Sequence, residues 1–548
     1  MKNSNSFTSY LIGISLLFAF SCTDPVEPDT TPGTIQEGQG ISESDLETYE
    51  GEVGLVLNLR ELARKGWKPT EAEFELQTSG EVLRKAVPVD EFGYLAVLKF
   101  PVKDLSPAQR TQLTNGVKIT VNVKDQANEP ILTKADLGTL SLLSNLTPIA
   151  INAASLPDTE EVSNYALLGG TGMYVQKVNN QGVPQTGAMR WNRDPFFGNT
   201  MTVSSNTTFS GNQPDFVFNF TPVPGQKNTF YIQLASSGEY LQIAETFYAK
   251  EPPVRIHFAP VNSGRKNLNG LSNSVLASFQ FRIQKVGEGR FRLIDHRNRQ
   301  IREAAGVGLT VNLSGAKEVL WRFVAKEIEW SAQPIATSVL EPVLPKATSG
   351  FSFNSTLTNC SGGQLQQTVG ADFSEERTTT VGWAESISVN NTKTVSVSST
   401  VGVTISAPFF GVRSSLSASV TTGFEWSHSV TSESSQYESQ TTTKRESYFS
   451  SRVITVPPRS ASLVYDAYQY YENVRVNHVQ RIRISGKNER GRALTGAEIR
   501  TLFAFSNFNG VINSVEENSV VVTIMGFTIL DKFMDTQSKV QEVPPRCN

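Results

Sequence analysis

The stretch TVSVSSTVGVTISAPFFGVRSSLSASVTTGFEWS, residues 394–427, alternates small polar residues with apolar ones and carries almost no charge. Read at a period of two, one set of positions is apolar, and the other bears hydroxyl groups or is glycine. The alternation runs in one phase up to the central APFFG and in the opposite phase after it. Two such strands joined by a turn with proline and glycine form a β-hairpin with one apolar face and one polar face. We therefore expect a β protein built around this hairpin.

The two faces of the hairpin define two sets of candidate functional residues. Each strand alternates over about eleven residues, the length of a tilted transmembrane β-strand. The predicted membrane-inserting set is Val395, Val397, Val401, Val403, Ile405, Val412, Leu416, Ala418, Val420, Phe424 and Trp426, with Phe409 and Phe410 at the tip. The predicted pore-lumen set is Thr394, Ser396, Ser398, Thr400, Thr404, Ser415, Ser417, Ser419, Thr421 and Glu425.

A single hairpin of this kind is not stable in lipid. About twelve apolar side chains give roughly 10–20 kcal/mol gross on insertion. Two open edges leave several backbone groups unpaired, each at a cost of several kcal/mol. Only a closed ring of hairpins from several chains removes the edges, so insertion implies a homo-oligomer and a target membrane lipid as partner. The alternative is an ordinary half-buried pair of strands in a soluble sheet.

The composition sets the broad class. The chain has 548 residues, of which 18% are charged, and a formal net charge of −3. This length predicts three or four domains. The near-neutral balance argues against nucleic acid as a partner, which needs a concentrated basic surface. Its 40 glycines and 26 prolines, with abundant Ser, Thr and Val, predict an all-β protein with many turns.

The N-terminus has the pattern of an export signal. An apolar run at residues 10–20 is too short for a transmembrane helix and is followed by Cys22. This arrangement resembles the lipobox of bacterial lipoproteins, which implies a signal peptide at 1–21 and lipidation of Cys22. A flexible tether follows at 22–49. We expect an outer-membrane lipoprotein that is surface-exposed, or a released, secreted protein. The alternative is ordinary secretory cleavage beside an incidental cysteine.

Two β domains are predicted before the hairpin. Residues 50–158 contain short alternating segments such as GVKITVNVKD and predict an Ig-like β-sandwich. Residues 165–332 contain a weak threefold repeat. Its openings are MYVQKV at 173, FYIQL at 230 and FRLID at 291, and its endings are FVFNF at 216, FQFRI at 279 and WRFVA at 321. The repeat resembles the β-trefoil of ricin-B-type lectins, although their Gln-x-Trp signature is missing.

The trefoil-like domain is the expected receptor-binding part, for a cell-surface glycan or a protein. Its candidate glycan contacts are Tyr240, Asp295, His296 and Asn298. Each of them also fits an ordinary turn or core role.

Few residues point to catalysis. The four histidines are scattered, and no hydrolase, zinc-protease or phosphate-loop motif is present. We expect no enzyme activity, no cofactor and no metal site, and we expect Glu375, Glu376 and Glu385 to be solvated. Cys360 and Cys547 either form a disulfide in an oxidising compartment or remain two free thiols.

Residues 345–548 form the last predicted domain. The hairpin, at about 393–427, lies between two Ser/Thr-rich arms, and ITVPPRSASLVYDAY follows the second arm. In this order the segments resemble the C-terminal module of the aerolysin-like β-pore-forming toxins, the superfamily that includes the epsilon toxins. The resemblance implies an elongated antiparallel domain and a cytolytic protein that binds a target surface, oligomerises and inserts the hairpin as a transmembrane β-barrel. The alternative is a glycan-binding surface lipoprotein with this module as a stalk.

Overall fold

The structure of the chain is a computed structural model. The described residues are 52–78, 82–101, 104–142, 146–165, 170–194, 198–204, 214–248, 255–305, 307–340, 348–385, 395–407, 414–426, 439–506 and 508–547. Cys22 and the predicted signal peptide and tether lie outside them. Among the described residues, no helix is long and apolar enough to cross a bilayer.

Two sheets build the N-terminal domain, residues 52–156. One has the strand order β4-β1-β7 and the other β3-β2-β5-β6. Alternate residues of the central strands β2 and β5 are buried, among them Phe74, Ile119 and Val121, and form a core between the sheets. The elements are β1 (Glu52–Asn58), α1 (Arg60–Arg64), β2 (Pro69–Gln77), β3 (Val82–Pro88), β4 (Leu95–Pro101), α2 (Pro107–Asn115), β5 (Val117–Asp125), β6 (Pro130–Leu140) and β7 (Leu146–Ala150).

The local pattern predicted most of this domain, with one error. The alternation in GEVGLVLNLREL predicts one strand, but β1 ends at Asn58 and the last three residues of this segment belong to the helix α1. The apolar residues Leu59, Leu62 and Ala63 are buried at helical spacing, which the strand interpretation overlooked. The Ig-like topology stays a prediction.

A closed ring of six antiparallel strands forms the ring domain, residues 173–325. The ring order is β8-β11-β12-β15-β16-β20 and back to β8. Three further hairpins, β9–β10, β13–β14 and β17–β18, lie in the sequence between successive ring strands. The elements are α3 (Glu160–Ser163), β8 (Met173–Val178), β9 (Pro184–Asp194), β10 (Gly198–Ser204), β11 (Val217–Pro222), β12 (Thr229–Leu234), β13 (Leu241–Tyr248), β14 (Arg255–Asn262), α4 (Asn273–Ala277), β15 (Gln280–Gly287), β16 (Arg290–Asp295), β17 (Arg302–Ala304), β18 (Gly308–Thr310), β19 (Lys317–Glu318) and β20 (Leu320–Ala325).

The predicted repeat openings and endings supply the six ring strands. β8, β12 and β16 come from the openings, and β11, β15 and β20 come from the endings. Their aromatic residues meet inside the ring, where the Phe220 and Phe323 ring centroids are 5.5 Å apart, edge to face. Each fully buried Phe contributes about 1.5–3 kcal/mol through burial. No single repeat could form this core alone.

A long antiparallel sheet forms the C-terminal domain, residues 329–547. Its order is β21-β27-β29-β23-β26, with β22 also paired to β27 and β28 to β29. The segment EWSAQPIATSV, which lies before the predicted start of this domain at residue 345, is strand β21 of this sheet. Its sequence shows no regular apolar alternation that would predict a strand. The elements are β21 (Glu329–Val339), β22 (Thr348–Asn359), β23 (Leu365–Trp383), β24 (Val395–Ala407), β25 (Ser414–Trp426), β26 (Ser439–Val456), β27 (Ser460–Lys487), α5 (Gly496–Phe505), β28 (Val511–Val515) and β29 (Val520–Val543).

A disulfide and an aromatic contact stabilise the two ends of this domain. A disulfide joins Cys360, between β22 and β23, to Cys547 in the C-terminal tail. At the other end, Phe505 of α5 packs against the ring core, 4.8 Å from Phe323 and 5.1 Å from Phe291 between ring centroids. The core of the ring domain is therefore continuous with that of the C-terminal domain.

Candidate membrane-inserting hairpin and binding residues

The candidate hairpin consists of β24 and β25, each of 13 residues. Their antiparallel register places the predicted apolar sets opposite one another: Val397 faces Phe424, Val401 faces Val420, and Ile405 faces Leu416. Because opposed residues of an antiparallel ladder share a face, the register agrees with a hairpin that has one apolar face. Thr394, Phe409, Phe410 and Val412 lie outside the described residues.

Two long paired strands carry this hairpin. β23 and β26, on either side of it in the chain, pair in one continuous register from Leu365–Val456 to Gly382–Ser439. The hydroxyl groups of Thr378 and Thr443 lie 3.2 Å apart across this ladder. The predicted Ser/Thr-rich arms are thus one two-stranded ladder that leads to the hairpin.

The chain just after β23 is held by a buried carboxylate, that of Glu385, which we expected from the sequence to be solvated. Glu385 is 2% exposed and accepts hydrogen bonds from both Arg60 and Arg64 of α1. The expectation of a solvated Glu385 is therefore wrong. No local pattern signals this pair, because Arg60 and Glu385 are separated by 325 positions. The side chains of Glu375 and Glu376 lie outside the description.

In the ring domain, Asp295 has a structural role. It is 3% exposed, and its Oδ1 accepts hydrogen bonds from the backbone N–H groups of Arg297 and Arg299, at 3.0 and 2.8 Å. Its Oδ2 accepts from Nε of Arg299 at 2.8 Å. The same pair of backbone contacts occurs in other hairpin turns, at Asp125, Asn179 and Asn488. Both oxygens of Asp295 are thus engaged in a turn, the alternative role that the sequence allowed, and glycan binding by Asp295 stays a prediction.

The other candidate glycan contacts follow ring strands of two repeats. Tyr240 is half-buried, with its ring edge-on to Tyr231 at 6.2 Å between centroids. His296 is half-buried, and burial lowers its pKa. Asn298 adopts a left-handed backbone conformation, with φ 62°, and accepts a hydrogen bond from Arg282. Glycan binding by Tyr240, His296 and Asn298 stays a prediction.

Replacing Asp295 by alanine is expected to destabilise the ring domain by about 1–3 kcal/mol, since the backbone N–H groups of Arg297 and Arg299 lose a partly buried acceptor. Asp295→Asn keeps the Oδ1 acceptor and is expected to cost less. Calorimetric unfolding of the two variants beside the wild type measures the difference. Unchanged stability of Asp295→Ala, with loss of glycan-array signal, would favour the binding role.

The chain has little similarity to known proteins. No protein-family model and no curated protein matches it. Among solved structures, the chain resembles aerolysin-like β-pore-forming proteins. The Mpp75Aa1.1 β-pore-forming protein from Brevibacillus laterosporus is 13% identical over 45% of this chain and 79% of its own, with a TM-score of 0.25.

Two other structures show a similar degree of likeness. The aerolysin-like protein of Bombina maxima is 8% identical over 39% of this chain and 99% of its own, with a TM-score of 0.15. The Cry23Aa1 and Cry37Aa1 binary complex is 17% identical over 40% of this chain and 83% of the matched chain, with a TM-score of 0.25. At these scores the likeness transfers no residue role to this chain.

Within the described ranges, no group of three or more His, Cys, Asp or Glu side chains is arranged to hold a metal ion. The carboxylate of Glu385 is paired with the guanidinium groups of Arg60 and Arg64.

Proposed function

We propose that the chain is a pore-forming protein that binds a target surface, oligomerises and inserts the β24–β25 hairpin into the membrane. The observation that supports it is the register of that hairpin. Between the pairs Val395–Trp426 and Ile405–Leu416, apolar residues face apolar residues at alternate positions, apart from the pair Ser399–Thr422. Thirteen residues at about 3.3 Å each, tilted by about 40°, span more than the roughly 25 Å apolar band of a barrel. The flanking arm ladder supplies two further strands that are long enough to extend a pore wall above the lipid.

The other domains have supporting roles in this proposal. The six-stranded ring with three hairpins fits a β-trefoil, and we assign it the receptor-binding role. The N-terminal domain fits a spacer between the lipidated Cys22 and the rest of a surface-exposed outer-membrane lipoprotein. The chain has no catalytic role in this proposal.

Dye release from liposomes tests the insertion. Val403→Arg puts a charge on the proposed lipid face, which costs about 2–4 kcal/mol per chain near the bilayer midplane. Because every chain in a ring carries the cost, we expect release to be abolished. Thr404→Arg is the matched control: it places the same charge one residue away, on the proposed lumen face, and should retain release with altered ion selectivity.

The liposomes are made from lipid extracts of candidate target cells, and the purified chain lacks the predicted leader, residues 1–21. Release that survives Val403→Arg at the wild-type rate would refute insertion of this hairpin. Absence of release by the folded wild type under every lipid condition, with saturable glycan binding that Val403→Arg leaves unchanged, would favour the stalk function.

A further inference from the structure

The Glu385 carboxylate is saturated with hydrogen bonds although it is almost inaccessible to water. Its Oε1 accepts from Nε of Arg60 at 2.5 Å and from Arg64 at 2.6 Å. Its Oε2 accepts from Nη2 of Arg60 at 2.5 Å and from the backbone N–H of Met525 at 2.9 Å. A carboxylate has about four acceptor positions, so this one is fully occupied.

Arg60 is the centre of the cluster. Its side chain is 1% exposed and makes a bidentate contact with Glu385. The guanidinium also donates to the carbonyl groups of Phe92, Gly93 and Thr523. One side chain of the N-terminal domain thus joins its own β3–β4 turn, the start of the segment before β24, and strand β29.

Glu385 occupies the root of the proposed inserting segment. β23 ends at Trp383, opposite Gly526 of β29. The backbone N–H groups of Ala384 and Glu385 both donate to the carbonyl of Met525, at 2.9 and 3.1 Å. Only residues 386–394 separate this point from β24. Any departure of Ala384 and Glu385, the root of the hairpin, from β29 therefore has to break these contacts.

The cluster favours two discrete states over gradual loosening. A buried charge that loses its partner carries its desolvation cost uncompensated, so a half-open cluster is disfavoured. The side chain of Arg64 is 36% exposed and lines a cleft beside Trp67 and Phe508, which gives water access to one side. The closed state has all contacts, and the open state has the charges in water.

We propose that α1 of the N-terminal domain is a latch: Arg60 and Arg64 retain the root of the hairpin through Glu385 until the segment is released for insertion. This rests on the proposed pore-forming function. The N-terminal domain then restrains the pore module directly, in addition to any role as a spacer.

The test compares Glu385→Gln with Glu498→Gln in the full chain. Glutamine keeps the size of the side chain but removes the charge that both arginines bind. Glu498 is the matched control, because it is 3% exposed and paired with Arg492 at 2.8 Å in the same domain, on helix α5 away from the arm. Glutamine also still fits the capping box at that position. Arg64→Met, which removes one contact at a partly exposed site, serves if Glu385→Gln fails to fold.

Two measurements test the latch and the pore-forming function separately. Hydrogen exchange of the Ala384, Glu385 and Met525 amides should accelerate at least tenfold in Glu385→Gln, severalfold in Arg64→Met and not in Glu498→Gln. Dye release should begin at least severalfold sooner in the first two variants than in the wild type. Faster exchange in a chain whose wild type never releases dye would support the latch and overturn the pore function.

Three results would overturn the latch. The first is unchanged exchange at these amides in both Glu385→Gln and Arg64→Met. The second is faster exchange with unchanged onset of release in a chain that does form pores. The third is an equal acceleration of release by Glu498→Gln.

Discussion

Replacing Arg60 by methionine is expected to lower the free energy of unfolding by about 3–5 kcal/mol, the usual cost of removing one partner of a buried ion pair. The loss is large because the carboxylate of Glu385 loses its bidentate partner in a site that is 2% exposed, while Arg64 reaches only one of its two oxygens. The carbonyl of Thr523 also loses its 2.9 Å contact. Differential scanning calorimetry should show the transition that includes the N-terminal domain shifted down by roughly 6–20 °C.

The double variant Arg60→Met with Glu385→Leu checks the cause. With both charges gone, apolar side chains of similar volume fill the site, and such replacements are often close to neutral. We expect recovery of at least half of the loss, short of full recovery because the N–H of Met525 no longer has an acceptor. If Arg60→Met alone lowered the free energy of unfolding by less than about 1 kcal/mol, water would have to reach the ion pair of Arg60 and Glu385.

Acidification is expected to destabilise the chain through His478. This residue of β27 is fully buried, and burial lowers its pKa to about 4. The unfolded chain takes up a proton as the pH falls through about 6.5, whereas the folded chain does so only near pH 4. The contribution of the neutral imidazole to stability is therefore complete above pH 6.5 and is lost between pH 6.5 and 4. The total loss is about 3 kcal/mol.

His478→Leu is the matched variant, because it removes the titrating group from a site of similar size. Denaturation midpoints at pH 7 and 4.5 should differ less in His478→Leu than in the wild type, since carboxylates titrate equally in both. Equal differences would show that His478 does not set the pH dependence. His478 pairs in register with Gly526, where a side chain would collide with the imidazole, so Gly526→Ala is expected to disturb the same site.

Features that depend on local alternation could be predicted from the sequence. The hairpin phases and the repeat openings and endings each express a period of two residues within ten to fifteen positions. In α5, Thr495 and Glu498 form a capping box, and the pattern Thr-x-x-Glu marks such a helix start in the sequence as well. Such signals survive without knowledge of the tertiary structure.

Features that depend on distant partners could not be predicted. Glu385 stands among Ser, Thr and Gly residues that resemble a solvated arm, and its partners lie on a five-residue helix in another domain. β21 is a strand because it pairs with β27, not because its own residues alternate. Asp295 shows the converse: the sequence offered both a turn role and a glycan contact, and the hydrogen bonds of its side chain are those of a turn.

The two ends of β23 are attached to the rest of the protein by different kinds of interaction. Near Leu365 the strand is tied by a covalent link between Cys360 and Cys547, and beyond Trp383 it is tied by charge. These ends are separated by roughly 60 Å of extended chain. The covalent link cannot open without reduction, whereas the ion pairs of Glu385 can open. In the proposed release, the chain near Glu385 can therefore move while the disulfide keeps the Leu365 end in place.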